Sequence, residues 1–482
     1  MRRLMTRALA VAAAGAAAGA LGVSTADAAA QAPRLARTSS PTVARHMAVP
    51  GAKLWVQRYN GPGNGNDAAH SVAVSPDGGT MFVTGESKGA TSGTDLSDYL
   101  TVAYNAATGV QLWTARYNGP GTDQAVAVAV SPDGGTVFVT GRSEQASHGG
   151  LGDYATVAYR ASDGTQLWVA RYNDPANDGD NATALSVARD GTTVFVTGTS
   201  WRGSGSGIAT VAYRASDGAQ LWVKTWSPPG WCCNYYASAI VSPGGNRVFV
   251  TGHVQSNASA AEYGTVAYNA TTGARLWARR YAGQGASSLA VSPDLKRVYV
   301  TGESHFNYGT LAYSARTGSL LWARFYGSRR RTDGAGSVAV SPGGTVLVTG
   351  TSWGGSASGY DYATIAYSPG GAQLWARRYD GPGSNPPLSA FDDVAHAVAA
   401  PGSGKVYVTG ISWGGSATGD DYATVAYNIR TGAQLWVRRY NGPGNGSDNA
   451  SSLAARGGKV FVTGDSAGTT SGSDYATIAY NG

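Results

Sequence analysis

Short runs of alternating apolar and polar residues follow one another from residue 53 to the end of the chain. Segments such as TVFVTG and TVAYNA place side chains with a period of two and are rich in Val, Thr and Tyr, which predicts β-strands. Tight-turn sequences separate them: PDGG, in which Gly supplies a positive φ, and NAATG, ASDG or ATTG. No helical periodicity occurs after residue 32, so the pattern predicts an all-β fold.

The predicted strands belong to one unit that recurs along the chain. Four signatures mark each copy: SVAVSPDGG or a relative, V-T-G, T-[VLI]-A-Y and a Leu-Trp pair. They predict four antiparallel strands, here named A, B, C and D, with a period of about 54 residues, which is typical of a β-propeller blade. The Leu-Trp pairs end at Trp55, Trp113, Trp168, Trp222, Trp277, Trp322, Trp375 and Trp436. Because every copy has this Trp, we expect it to be structural and buried between blades.

The two ends of the repeat region complement each other. The first element is a lone D strand, KLWVQRY at 53–59, and the last is a C strand, DYATIAY at 474–480. Together they complete one blade and leave no open edge in the ring. The sequence therefore predicts a single eight-bladed β-propeller of four-stranded antiparallel blades over residues 52–482, closed by an N-terminal outer strand.

The N-terminus has the features of an export signal. Basic residues precede a short, weakly hydrophobic stretch at 8–23, and Ala-Asp-Ala at 26–28 fits a small-x-small cleavage site. This favours a cleaved signal peptide at 1–30 over a membrane anchor, followed by a flexible tether at 31–51, and predicts a secreted protein. The Arg2-Arg3 pair leaves twin-arginine export open beside general secretion.

Composition narrows the possible functions. The net charge of +7 is mostly an excess of Arg, much of it at one repeated strand position, which favours a solvated surface over a nucleic-acid site. The two adjacent Cys exclude a disulfide-dense scaffold or a zinc ribbon, and the six His form no H-E-x-x-H. No G-x-S-x-G elbow stands between a strand and a helix. We therefore predict no catalytic residues, no metal and no cofactor, and no stretch after the signal could span a membrane.

The C–D hairpins, YNAATGVQLW at 104–113 and YNATTGARLW at 268–277, resemble the tryptophan-docking repeat of quinoprotein (PQQ) dehydrogenase propellers. The longer unit, DYATVAYNxxTGxQLWxxRYNGPG…D…SVAVSPDGGxVFVTG, is similar to a secreted bacterial β-propeller repeat in the same PQQ-like superfamily. The resemblance implies eight blades and Trp packing between them. It would imply bound PQQ and calcium only if the chain also had a carboxylate base and a set of acidic and amide calcium ligands, which we cannot place in this sequence. There is also no C-x-x-C-H motif for haem attachment.

The B–C and D–A connections share one rim of a propeller, and here they vary between copies, so we expect binding on that face. Each D–A loop carries a polar residue four positions before the strand A signature: Asp67, Asp123, Asp180, Asn234, Gln284, Asp333, Asp393 and Asp448. These residues are expected to ring the mouth of the axial channel. They could form a cation or basic-ligand site, but the favoured interpretation is that each caps local backbone N–H groups.

Two further features lie in these loops. Trp201, Trp353 and Trp413 follow Ser at the start of B–C loops and could stack on a sugar or aromatic ligand, or could seal the gaps between blades. Cys232-Cys233 lies before strand A of blade 4, and some quinoprotein alcohol dehydrogenases, which this dipeptide resembles, hold a disulfide between adjacent cysteines. A vicinal disulfide, free thiols and an intermolecular bridge all remain open.

The sequence thus favours an exported, non-catalytic propeller that binds a ligand, glycan or protein partner through its B–C/D–A face. A PQQ-dependent oxidoreductase and a carbohydrate-active hydrolase or lyase are the alternatives.

Overall fold

Four antiparallel strands recur eight times in the computed structural model. It describes residues 49–89, 96–145, 151–203, 205–227, 234–244, 246–257, 260–327, 333–356, 358–382 and 393–482. The eight four-stranded sheets follow one another along the chain as blades 1 to 8, each with strand order A-B-C-D. Within the described residues no helix is long and apolar enough to cross a membrane.

The strands of each type are as follows. The A strands are β2 (Asp67–Val74), β6 (Asp123–Val130), β10 (Asp180–Val187), β14 (Tyr235–Gly244), β18 (Gly285–Val291), β22 (Gly334–Val340), β26 (Asp393–Ala399) and β30 (Asp448–Arg456). The B strands are β3 (Thr80–Lys88), β7 (Thr136–Glu144), β11 (Thr193–Arg202), β15 (Arg247–Asn257), β19 (Arg297–Ser304), β23 (Val346–Gly355), β27 (Lys405–Trp413) and β31 (Lys459–Ala467). The C strands are β4 (Ser97–Asn105), β8 (Gly152–Arg160), β12 (Gly205–Arg214), β16 (Ala260–Asn269), β20 (Asn307–Ser314), β24 (Gly359–Tyr367), β28 (Asp420–Asn428) and β32 (Ser473–Asn481). The D strands are β5 (Gln111–Tyr117), β9 (Gln166–Tyr172), β13 (Gln220–Trp226), β17 (Arg275–Ala282), β21 (Leu320–Tyr326), β25 (Gln373–Tyr379), β29 (Gln434–Tyr440) and, at the start of the chain, β1 (Lys53–Tyr59).

The predicted eight-bladed propeller and its closure are confirmed. Strand β1 pairs antiparallel with β32 and completes blade 8 in the order β1-β32-β31-β30. The two chain ends also rebuild the missing C–D turn, because Asn481 N–H donates to Ala52 O at 2.8 Å and Gly51 N–H donates to Asn481 O at 2.7 Å. Gly51, placed in the tether by the sequence analysis, is therefore a buried part of the ring.

The cores lie between neighbouring blades, and the repeated Trp of strand D is at the centre of each. All eight of these side chains are 5–9% exposed. In six of them the indole N–H donates to a carbonyl of the next blade, as from Trp113 to Ala161 at 2.9 Å. Each ring also covers the turn glycine of the next blade; at Gly164, with φ +73°, an added Cβ would lie 2.6 Å from Trp113. Glycine is required there both by the left-handed conformation and by this contact.

Candidate functional site

Aspartates at the start of strand A cap backbone N–H groups of the D–A loop and of the end of strand B. Asp67 accepts from Gly61 N at 2.5 Å and from Lys88 N at 3.1 Å. Asp448 accepts from Gly442 N at 2.5 Å and from Ala467 N at 3.0 Å. The six aspartates of the predicted ring are 0–1% exposed. The favoured interpretation, that these carboxylates cap local backbone N–H groups, agrees with the hydrogen bonds of Asp67 and Asp448, and the loop backbone covers both side chains.

Burial changes the acidity of these carboxyl groups. It raises the pKa of Asp123, Asp180 and Asp393 to about 6, although the hydrogen bonds that each accepts act in the opposite direction. It also raises the pKa of Asp67 and Asp448. These groups are thus costly to keep ionised inside the ring.

In blade 4, the place equivalent to these D–A loop aspartates is occupied by a residue other than the predicted Asn234. Tyr235, and not Asn234, pairs with Val254 at the point where the other ring residues pair with strand B. The reason is a tighter A–B hairpin: Gly244 pairs directly with Arg247, which advances strand A by one residue relative to its sequence pattern.

A hydrogen-bonded arginine on strand D joins strands B, C and D at the same end of several blades. Arg58 of strand D donates to Ser466 Oγ at 2.5 Å and to Asp474 Oδ2 at 2.8 Å in its own blade, and to Tyr440 OH at 3.1 Å in the preceding blade. Equivalent Arg–Ser–Asp contacts involve Arg116, Arg171, Arg378 and Arg439. Five of the eight blades, numbers 1, 2, 6, 7 and 8, are therefore locked in the same way.

The sequence analysis missed the side chains by which the blades differ from one another along the inner wall of the ring. Strands A of neighbouring blades contact one another and so surround the axis. Beside them, the position after V-T-G on strand B is occupied by Glu86, Arg142, Thr199, His253, Glu303, Thr351, Ile411 and Asp465. Such variation within an otherwise repeated strand was the available signal, since specificity requires positions that differ between blades.

Polar side chains on this wall form a cluster where blades 8, 1 and 2 meet. Gln124 donates to Glu86 at 2.9 Å and Asn449 donates to Asp465 at 2.9 Å. His70 Nε2 lies 3.9 Å from Glu86 Oε1. Burial lowers the pKa of His70 and raises the pKa values of Glu86 and Asp465. Further around the wall, burial, with Asp333 nearby, raises the pKa of Glu303 to about 7.

A quinone with its calcium ion would need acidic and amide oxygens that converge on one point. In the Glu86–Gln124 and Asp465–Asn449 pairs the amide nitrogen faces the carboxylate, so each pair is satisfied internally. The described part of the wall thus does not fit that ligand set.

The described residue that best fits the predicted ligand contacts is Trp201. It is half-buried on β11, and its ring packs edge-on against Tyr236 with centroids 5.6 Å apart. A depression of 320 Å³ between blades 2 and 3 is lined by Trp201 with Arg142, Asp178 and Asn181. Asn181 Oδ1 is buried and accepts no hydrogen bond from any described residue. An aromatic ring beside polar groups of both signs is an arrangement that suits a polar, ring-shaped ligand.

Trp353 and Trp413 lie elsewhere on the same face. Both are half-buried at the ends of β23 and β27, and Trp353 packs edge-on against Tyr360 with centroids 5.2 Å apart. They belong to blades 6 and 7, whereas Trp201 belongs to blade 3. The structure thus separates the three predicted residues into two places. Cys232 and Cys233 lie outside the described residues, so the predicted vicinal disulfide stays a prediction.

Sequence comparison places this architecture in a known family. The family described as outer membrane protein assembly factor BamB matches residues 39–304, 206–410 and 307–477. The chain belongs to this family. No curated protein sequence matches the chain.

Solved structures share the fold of this BamB-family propeller at low sequence identity. BamB from Moraxella catarrhalis is 12% identical with a TM-score of 0.50, covering 90% of this chain and 100% of that one. The Dos1 propeller is 12% identical with a TM-score of 0.56, covering 89% and 95%. Quinohemoprotein alcohol dehydrogenase from Comamonas testosteroni is 14% identical with a TM-score of 0.52, covering 89% and 76%. At such identities the likeness shows the fold alone.

Proposed function

We propose that this protein is an exported, non-catalytic binding propeller whose B–C/D–A face takes a carbohydrate at Trp201. The observation that carries the proposal is the depression between blades 2 and 3, where an aromatic ring stands beside Arg142, Asp178 and Asn181. Tryptophan offers a large apolar surface at small entropy cost, and the polar neighbours can bond hydroxyl groups.

The distribution of variable residues supports the same face. Core Trp, Tyr and Gly positions repeat in every blade, whereas the position after V-T-G and the D–A loops differ. A rigid ring with variable loops is a common platform for recognition. Membership in a family described as an assembly factor supports a macromolecular partner as a further occupant of this face.

Export is part of the proposal. A basic start, a short apolar stretch and Ala-Asp-Ala at 26–28 support signal cleavage and a secreted product. N-terminal sequencing of the protein recovered from the culture medium of an expressing host tests it, with a new N-terminus near residue 29 as the expected result.

Binding is tested on a glycan array, followed by calorimetry with the glycan that the array returns. Trp201→Ala should lower affinity at least tenfold, because it removes the stacking surface, and Asp178→Ala should weaken binding as well. Trp353→Ala is the matched control: its ring has a similar edge-on tyrosine contact, so it has a comparable structural cost but lies outside the depression.

Three results would contradict the proposal. One is an array without signal, and another is equal loss of binding in Trp201→Ala and Trp353→Ala. The third is a thermal shift with PQQ plus calcium chloride, accompanied by dye-coupled alcohol oxidation, which would favour the oxidoreductase alternative.

A further inference from the structure

The ring of Trp201 is the first of three ring side chains in contact with one another. Tyr236 of β14 packs against Trp201 with ring centroids 5.6 Å apart, and it also packs against His253 of β15 with centroids 5.7 Å apart. All three side chains are half-buried, so part of each ring is exposed to solvent. The row begins beside the depression between blades 2 and 3 and continues on blade 4.

Strand pairing explains why Tyr236 and His253 lie side by side. They are opposite each other in the antiparallel pair of β14 and β15, so their side chains point to the same face of the sheet. The seven other blades have the equivalent A–B pair: Ala68–Glu86, Gln124–Arg142, Asn181–Thr199, Gly285–Glu303, Gly334–Thr351, Val394–Ile411 and Asn449–Asp465. Blade 4 alone has ring side chains at this pair, and it has them at both positions. Because seven blades form without them, the fold itself does not require these rings.

His253 is held in place by the backbone of blade 5. Its Nδ1 lies 2.9 Å from Gln284 O. Because a carbonyl oxygen only accepts hydrogen bonds, Nδ1 carries the proton, and in the neutral ring Nε2 is then an acceptor. The next residue, Gly285, has φ +126°, and an added Cβ there would lie 3.0 Å from His253 Nδ1. The row therefore ends in a positioned ring whose Nε2 can accept a hydrogen bond from a hydroxyl group.

The other end of the row also offers acceptors. Asp178 and Asn181 line the depression beside Trp201, and Asn181 Oδ1 is buried without a donor among the described residues. A buried acceptor of this kind costs free energy unless a donor reaches it. Because Tyr236 lies between Trp201 and His253, a ligand that uses the acceptors at both ends must be longer than one sugar ring.

We propose that the carbohydrate site extends from Trp201 over Tyr236 to His253 and takes an unbranched β-1,4-linked oligosaccharide. This inference rests on the proposed function and deepens it. The pyranose rings of such a chain present apolar C–H faces, which pack on aromatic rings, while their hydroxyl groups project from the ring edges toward polar side chains. Successive sugar rings contact the three side chains in turn, with hydroxyl groups of the chain donating to acceptors at each end.

The dependence of affinity on chain length tests this inference. Calorimetry, with ligand-observed NMR where binding is weak, is carried out on two homologous series: glucose to cellohexaose, and N-acetylglucosamine to chitohexaose. In at least one series the affinity of the wild-type protein should rise at least tenfold from the single sugar to the trimer and then level off.

The decisive variant is Tyr236→Asn combined with His253→Thr. It gives blade 4 the Asn181–Thr199 pair of blade 3, so the fold should be preserved, which circular dichroism checks. The rise of affinity with chain length should disappear, while the affinity for the single sugar stays within twofold of the wild-type value. His253→Thr alone should lose only the gain from dimer to trimer.

A matched control places the same pair elsewhere on the wall. Val394→Asn combined with Ile411→Thr creates it in blade 7, away from the row, and should leave the affinity for every chain length unchanged.

The inference is overturned if neither series binds or if affinity does not rise with chain length in either series. It is also overturned if the blade 4 double variant weakens the binding of all lengths by the same factor, since a purely structural contact with Trp201 has that effect. In these cases a glycan that the array shows to bind at Trp201 still supports the proposed function, whereas an array without signal refutes both.

Discussion

Replacing one of the eight core tryptophans gives the most direct test of how this ring is held together. Trp277 of β17 is 6% exposed, and its indole N–H donates to Ala315 O of blade 5 at 3.1 Å. Its ring packs against Phe249 and Tyr313 with centroids 5.9 and 6.3 Å apart. Trp277→Ala therefore removes a large buried ring, leaves a cavity and deprives a carbonyl group of its donor.

The expected loss of unfolding free energy follows from these contacts. Large-to-small changes of a buried aromatic residue cost about 3–5 kcal/mol, because the transfer free energy is lost and the cavity collapses only in part. Trp277→Phe keeps much of the apolar contact but loses the hydrogen bond to Ala315, for which we expect about 1–2 kcal/mol. The neighbouring Leu276 is 43% exposed, so Leu276→Ala should cost about 0.5 kcal/mol or less.

Urea unfolding followed by Trp fluorescence and by circular dichroism measures these differences. Hydrogen exchange at the amides of blades 4 and 5 shows whether the loss is local. The order Trp277→Ala, Trp277→Phe, Leu276→Ala, from largest to smallest loss, is the expected result. A cost below about 1 kcal/mol for Trp→Ala at Trp277 and at several equivalent sites would refute the account of inter-blade packing.

Two other changes test the closure and the buried acids. Deleting 53–60 removes β1, so blade 8 should expose an edge and the melting temperature should fall; an unchanged melting temperature would contradict the closure. Because the folded-state pKa values of Asp123, Asp180 and Asp393 are about 6, above the unfolded value of about 3.9, their contribution to stability is lost as pH rises through about 6. Stability should therefore increase from pH 7 to pH 5, opposed by His70 and His396, whose pKa values are lowered by burial. Asp123→Asn should reduce that increase, and a pH profile identical to that of the wild type would argue against it.

The sequence predicts this architecture well because each blade repeats the same packing contacts. Trp113 must cover Gly164 and reach Ala161, and the other blades repeat that Trp and the turn glycine it covers. The lone D strand at 53–59 likewise needs a C strand, and the last residues of the chain provide one. Period, turn chemistry and closure are local or repeated properties, so they can be recognised without coordinates.

The candidate site was harder to predict because it depends on the direction in which each side chain points. A carboxylate at the start of strand A looks the same in sequence whether it faces the channel or the loop backbone, and Asp67 faces the backbone. Asn234 was misplaced because the blade 4 hairpin closes through Gly244 and Arg247, which shifts the register of strand A by one residue. The contact of Trp201 with Tyr236 depends on strands from two blades, which no local pattern reveals.

The blades that depart from the repeat suggest where binding was favoured over stability. Thr225 in blade 3 and Phe325 in blade 5 stand where other blades have the locking arginine. Phe325 is 45% exposed and stacks on Tyr281 of blade 4 with centroids 6.4 Å apart. The depression at Trp201 borders the same sector of the ring. Proteins break their own structural rules mainly at functional sites, so substitutions beside Trp201 should lower carbohydrate binding before they lower the melting temperature.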